Sequence, residues 1–231
     1  MEIVGINSEN IKKISDYKKE AEWIRQYRLD SYKFFNELPM PEFGPKYDLD
    51  FNKIIYYKSN DNDMKSDWNK IDKNIKNEFD DLGVIKGECN LDGIGVQYES
   101  EVIYHNMIEE AKEKNVIFTS IEVAMKEYPE LVKKYFGKIV KNNENKFASL
   151  NSSVFSGGSF IYIPPNTTLD RPLHSYFRIN SQGMGQFERT LIIVDDNSSV
   201  HYVEGCTAPT YSDSSLHAAV VALYVGQHRN C

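Results

Sequence analysis

The chain has 231 residues, 41% of them hydrophobic and 13% aromatic, so it is long and apolar enough to bury a sizeable core. A formal net charge of -7 leaves no basic surface to neutralise phosphates, which argues against a nucleic-acid module and against binding to anionic membranes. No apolar run has transmembrane length, and residues 1–12 carry neither a secretory h-region nor transit-peptide character, so a cytoplasmic protein is expected.

In chain order, Ile11, Ile14, Tyr17, Ala21, Ile24 and Tyr27 recur at spacings of three and four, which predicts one helix from Ile11 to Leu38. Pro39, Pro41 and Pro45 end it. A short strand is expected within Asp48 to Lys58, a helix from Trp68 to Leu82, and another from Glu99 to Lys114. Val116 to Phe118 reads as extended, Ser120 as the cap of the next helix, and Pro129 as the first turn of the one after.

Lysine usage then stops at Lys146, which suggests a boundary near Lys146–Leu150 and two regions, 1–147 mainly helical and 148–231 mainly β. Short apolar stretches beginning at Phe160, Tyr176, Thr190, Val200 and Leu216 alternate with turn-rich pieces such as PPNTT and DDNSS. A sandwich, a barrel and a solenoid all satisfy that pattern, and no strict repeat is visible.

Three cysteines, Cys89, Cys206 and Cys231, are too few for a disulfide framework, and none has zinc-site spacing. Cys206, in VEGCTAP at a strand end, is either an inert half-buried thiol or a reactive one. Arg178 and Asn180 lie two apart in YFRIN and so share a strand face with Tyr176. Glu188 and Arg189 are neighbours, face opposite sides, and read as structural. His201 and His217 have no Cys or His at ligand spacing and read as solvated or hydrogen-bonded; His105 reads as the polar face of a helix. GGS at 157–159 follows no phosphate-cradling pattern, and no P-loop is present. A carbohydrate-active reading would need paired carboxylates from Glu188, Asp195, Asp196 and Glu204, but DDNSS suits a turn better.

Several ordered segments carry a resemblance: WIRQYRLDSYKFF, PMPEFGP, GVQYESEVIYHN, YPELVKKYFGKIV, NKFASLNSSVFSGGSFIYIPP, YFRIN, GQFERTLII, VHYVEGCTAP and SLHAAVV. Together they make the chain, from about Trp23 to Val221, resemble the SufB/SufD family of the SUF iron–sulfur cluster assembly system. Cys206 within EGCTAP resembles the SufB scaffold branch more than a structural, SufD-like paralogue.

The resemblance implies an α+β chain, a helical N-terminal region followed by the first rungs of a right-handed parallel β-helix. It implies a non-enzymatic scaffold on which Cys206 accepts persulfide sulfur, with Arg178 and Asn180 lining an interior path for it. The implied partners are a SUF ATPase subunit, a SufD-like paralogue, and a cysteine desulfurase with its sulfur-transfer protein. The iron–sulfur cluster would be transient, and no metal ligand is carried over, because the family's ligands lie in a C-terminal part with no counterpart here. The last ten residues, ALYVGQHRNC, do not resemble the family's continuation, so a truncated chain is expected, and a non-functional fragment is the alternative.

Overall fold

The N-terminal apolar stripe is divided between two helices, α1 (Ser8–Lys18) and α2 (Glu22–Glu37), in place of the single helix expected from the spacing. Asn7 caps α1 by accepting from the Asn10 amide at 2.9 Å, and Lys19 ends it in the left-handed region at φ 52. The break lets Ile11 and Ile14 of α1 and Phe35 of α2 bury against one cluster with Leu150, Val154 and Phe187. The structure, a computed structural model, describes residues 1–44, 46, 48–59, 64–81, 83, 85–209 and 216–227.

The stretch expected as a helix from Glu99 to Lys114 is instead mostly a hairpin. Strands β3 (Gly93–Tyr98) and β4 (Glu101–Met107) pair antiparallel, and only α4 (Glu109–Glu113) is helical. Glu99 takes the turn at φ 55, so the turn carries neither of the usual markers, glycine or asparagine. Further upstream, β1 (Glu2–Val4) pairs with β2 (Ile55–Lys58), and α3 (Lys73–Asp81) follows a short 3-10 turn at Trp68–Lys70. The capping expectations hold: Ser120 accepts from the Val123 amide at 3.2 Å at the start of α5 (Ile121–Glu127), and Pro129 opens α6 (Pro129–Tyr135).

From β5 (Ile117–Ser120) onward the chain shuttles between two sheets. Strands β6 (Ser159–Ile163), β8 (Arg189–Val194) and β10 (Val220–Val225) are parallel neighbours in one, with β5 antiparallel at its edge. Strands β7 (Leu173–Arg178) and β9 (Tyr202–Thr207) extend the other alongside β3, all three parallel, with β4 at its edge. Register is kept from strand to strand, so Ile161, Ile192 and Leu223 line up. Phe118, Ile161, Ile163, Leu173 and Ile192 fill one core between the sheets. Helix α3 covers the outer face of β3 and β7 through Phe79, while Ile24, Met125, Val132 and Phe136 cover the outer face of β6 and β8. The chain is thus α+β.

The lysine boundary at Lys146–Leu150 falls inside a helix, α7 (Lys146–Val154), and strands from either side of it pair across it. This helix is buried from Ala148 to Val154, although four of those residues are Ser or Asn. Each such side chain finds a partner: Ser149 and Ser153 donate to carbonyls one turn back, Ser152 meets Tyr27 and Arg189, and Asn151 reaches the segments that lead into β8 and β10. Just after it, Gly158 at φ +101 lies so close to Arg189 that an added Cβ would sit 2.5 Å from that residue's carbonyl oxygen.

Arg28 ties α2 to this junction. Its guanidinium forms a fork with Glu20 at 2.8 and 2.6 Å, donates to the carbonyls of Ser153 and Phe155, and stacks 3.8 Å from the Phe155 ring centroid. Both side chains are almost wholly buried, at 0% and 4% exposure. Removing one member leaves the other charge uncompensated, so Arg28→Met is expected to lower unfolding free energy by about 3 kcal/mol. Urea unfolding of Arg28→Met and of Arg28→Met/Glu20→Leu checks this, because the double variant should recover part of the loss.

Candidate functional site

Cys206 is the next-to-last residue of β9 and lies opposite Phe177 of β7. Alternation puts Tyr202, Glu204 and Cys206 on one row, in line with the buried row Leu173, Ser175 and Phe177. The thiol therefore points toward the space between the two large sheets, at a rim where Cys206 stays exposed.

Gln186 and Glu188 approach from the facing sheet, two apart just ahead of β8. His217 joins them because it forms a parallel bridge with Gln186. The Gln186 amide donates to the Leu216 carbonyl at 2.8 Å, and the Ala218 amide donates back to Gln186 at 2.9 Å. Cys206 Sγ lies 3.6 Å from His217 Nδ1 and donates to Gln186 Oε1 at 3.3 Å. On the other edge of the ring, His217 Nε2 meets Glu188 Oε1. Thiol, imidazole and carboxylate thus stand in a row.

Asn151 of α7 supports this arrangement by donating to the carbonyls of Glu188 at 2.9 Å and Ala218 at 2.8 Å. Arg189 holds Asn151 Oδ1 at 3.0 Å, on the opposite side of the strand from Glu188. Deeper in, Glu204 Oε2 accepts from Tyr202 at 2.8 Å and Thr190 at 3.3 Å, and Ser159 and Ser175 exchange a hydrogen bond at 2.6 Å.

Contact with Cys206, and then with Glu188, raises the His217 pKa to about 10, against the smaller opposing effect of burial. The raised value makes the ring a strong proton acceptor toward the groups on its two edges. Desolvation pushes the Glu204 carboxyl up, opposed by donation from Tyr202. Two fully buried atoms, Glu188 Oε2 and Gln186 Nε2, have no hydrogen-bond partner among the described residues. Because thiol and carboxylate sit on opposite edges of the imidazole, the three cannot share one metal ion through it; the row suits proton movement instead.

The other candidates lie elsewhere. Arg178 and Asn180 do not face the thiol: Arg178 pairs with Glu78 at 3.5 Å and donates to Thr207 at 3.2 Å, on the face of β7 that α3 covers. Asn180, past the end of β7, donates to Tyr98 at 2.9 Å and Glu78 at 3.1 Å. The face they share with Tyr176 is thus packed against a helix. His201 is exposed. His105 is on β4, not on a helix, with its ring against Phe118. Cys89 is an exposed free thiol in the 3-10 turn Ile85–Asn90, and Cys231 lies outside the described residues. Asp195 and Asp196 occupy a turn, and Glu188 and Glu204 are each engaged by the groups above.

Sequence reasoning set aside Glu188 and His217 and did not consider Gln186. The legible signal was Gln186-x-Glu188, two polar groups on one strand face. His217 joins them only through the parallel register.

The raised His217 pKa has a sign that stability measurements can read. An ordinary histidine titrates near about 6.5, so the His217 contribution is fully present below that pH and is lost as pH rises through about 10. The ring is 39% exposed, so solvent screens the effect and its size is modest. Urea unfolding at several pH values should show the gap between the native chain and His217→Ala closing as pH rises through that window. A gap independent of pH would contradict the ion pair.

A family model described as SufBD protein N-terminal region matches residues 17–174, and one described as SUF system FeS cluster assembly, SufBD core domain, matches residues 177–230. Iron–sulfur cluster assembly SufBD family proteins of Staphylococcus aureus strains USA300 and NCTC 8325 are 51% identical to the chain over 223 residues, and one of Staphylococcus saprophyticus is 50% identical. Each alignment covers 96% of this chain and 48% of the relative, so the chain spans about half the length of the curated relatives it matches. The chain belongs to the SufBD family of SUF-system iron–sulfur cluster assembly proteins.

Proposed function

We propose that the chain is of the SufB type and serves as a scaffold subunit whose Cys206 accepts persulfide sulfur. The observation that carries this reading is the setting of Cys206: an exposed thiol beside an imidazole and a buried amide, at the rim of the space between two sheets. Cys89, the other described cysteine, is exposed in a 3-10 turn. A structural, SufD-like paralogue would have no use for an activated thiol at this place.

Transfer from a donor persulfide is a displacement at sulfur. The Cys206 thiolate attacks the outer sulfur of the donor, a new S–S bond forms at Cys206, and the donor's own S–S bond breaks. The donor leaves as a thiolate, and no external oxidant or reductant takes part.

The two stacks of parallel strands, with the chain passing from one to the other, support the reading of β6 to β10 as the first coils of a right-handed parallel β-helix. Val221, Leu223 and Val225 continue the row of Thr190, Ile192 and Val194 and are 47%, 42% and 44% exposed, which suits a row that packs against a further strand. In this reading the iron–sulfur cluster is cargo, and the chain itself is not an enzyme. It works in the cytoplasm with a SUF ATPase subunit, a SufD-like paralogue, and a cysteine desulfurase with its sulfur-transfer protein.

The test is sulfur loading. After incubation of the full chain with cysteine, a desulfurase and its sulfur-transfer protein, alkylation and peptide mass spectrometry should find the extra sulfur on Cys206 and little on Cys89. Cys206→Ser should abolish loading. Extra sulfur on Cys89 or Cys231 alone would overturn the assignment.

A further inference from the structure

A thiol attacks only after its proton has gone, and among the described residues one base stands against Cys206. His217 Nδ1 lies 3.6 Å from Sγ, and the far side of the ring is held by Glu188, whose side chain is 0% exposed. The three groups come from separate stretches of chain: Cys206 from β9, Glu188 from just before β8, and His217 from just before β10. A nucleophile, a base and a carboxylate that orients the base is the arrangement by which unrelated folds activate hydroxyls and thiols.

We propose that His217 carries the proton for sulfur transfer at Cys206, with Glu188 as the residue that positions the ring and Gln186 as the one that holds the sulfur. This rests on Cys206 being the sulfur acceptor and adds how that thiol is made reactive. The imidazole takes the thiol proton at Nδ1, leaving a thiolate beside an imidazolium. The thiolate attacks the outer sulfur of the donor persulfide, forming one S–S bond as the donor's breaks. The imidazolium then returns its proton to the departing donor thiolate. Net, one thiol and one persulfide exchange a sulfur atom, and every proton is accounted for.

The two buried atoms without partners fit these roles. Glu188 is buried with Oε2 unpartnered, so the charge on His217 is what compensates its carboxylate, and the pair favours the imidazolium. Gln186 accepts from the thiol through Oε1, an oxygen that would repel a thiolate. Half a turn of the amide brings round Nε2, buried without a partner among the described residues, to donate to the thiolate or to the added sulfur. The charged groups facing His217 are Glu188, Cys206 and Glu204, with Glu42 and Lys46 along the cleft it lines. That cleft, about 950 Å³ and walled by Phe43, Phe147 and Leu216, leaves His217 reachable from outside.

The experiment measures the alkylation rate of Cys206 by iodoacetamide against pH in the full chain, with Cys89 as internal reference. No sulfur donor is needed, so the proton-transfer role is tested apart from sulfur acceptance. In His217→Ala the rate at pH 7 should fall about tenfold, because a nearby cation favours the reactive thiolate. The deficit should close by pH 10, and added imidazole should restore part of the rate. Glu188→Gln should give a smaller loss of the same shape. If either variant fails to fold, ring titration by NMR in the native chain and in Cys206→Ser decides: the His217 titration should move to lower pH when the thiol is gone. Equal alkylation profiles in native and His217→Ala chains, or a His217 titration indifferent to Cys206, would overturn the proposal. Alkylation that depends on His217 while donor sulfur never reaches Cys206 would keep the relay and reject the acceptor role.

Discussion

The side-chain amide of Asn151 donates both hydrogens to backbone carbonyls on two separate stretches of chain, those of Glu188 and Ala218. These residues flank the site: Glu188 is itself part of it, and Ala218 follows His217. Asn151 is wholly buried and its oxygen is taken by Arg189, so its contacts to Glu188 and Arg189 are out of water and that to Ala218 is partly so. Losing the amide would remove the bond that the Ala218 carbonyl accepts and one of the two that the Glu188 carbonyl accepts, the other coming from the Val220 amide, at a cost of about 1–3 kcal/mol. The polar composition of α7 follows from this constraint. A helix of leucines could fill the same volume, but it could not fix the register of the strands beside it.

The register then determines the chemistry. With Gln186 opposite His217, the imidazole falls between a buried carboxylate on one side and the Cys206 thiol on the other. A shift of one residue would turn His217 to the other face and leave Glu188 buried without a counter-charge. Arg28 with Glu20 and Arg189 with Asn151 act on the same junction from its outer side, so four buried polar side chains converge where helices meet sheets. Gly158 belongs to the same economy of space, because only a residue without Cβ lets the chain pass over Arg189.

Much of this was legible in the sequence, and the failures have physical reasons. Ser120 and Pro129 marked helix starts correctly because capping is local chemistry. Five apolar stretches in the second half correspond to β6 to β10. The hairpin of β3 and β4 was misread because Ile103, Met107 and Ala111 repeat every four residues, which imitates a helical stripe, and because Glu99 makes the turn without glycine. The break at Lys19 was hidden for a similar reason: a lysine, not a glycine, adopts the left-handed conformation. At the site, Cys206 stood out through its segment, EGCTAP. Arg178 lies on the side of β7 that Tyr176 shares and Asn180 just past the strand's end, but which side faces a helix and which faces the other sheet is a tertiary fact. His217 was set aside because ligand spacing was sought along the chain, whereas its neighbours come from other strands.

Asn151 holds the segment bearing His217 against the segment bearing Gln186 and Glu188. Amide hydrogen exchange in Asn151→Ala tests it most directly, read at Ala218 and Val220, whose amides donate to Gln186 and Glu188 at 2.9 and 3.1 Å. Local opening governs exchange at such positions. Exchange at Ala218 and Val220 should accelerate by about tenfold or more, as expected for a loss above 1.4 kcal/mol, while β6 and β7 stay protected. Unchanged protection at Ala218 and Val220, or equal loss across all the strands, would contradict the account.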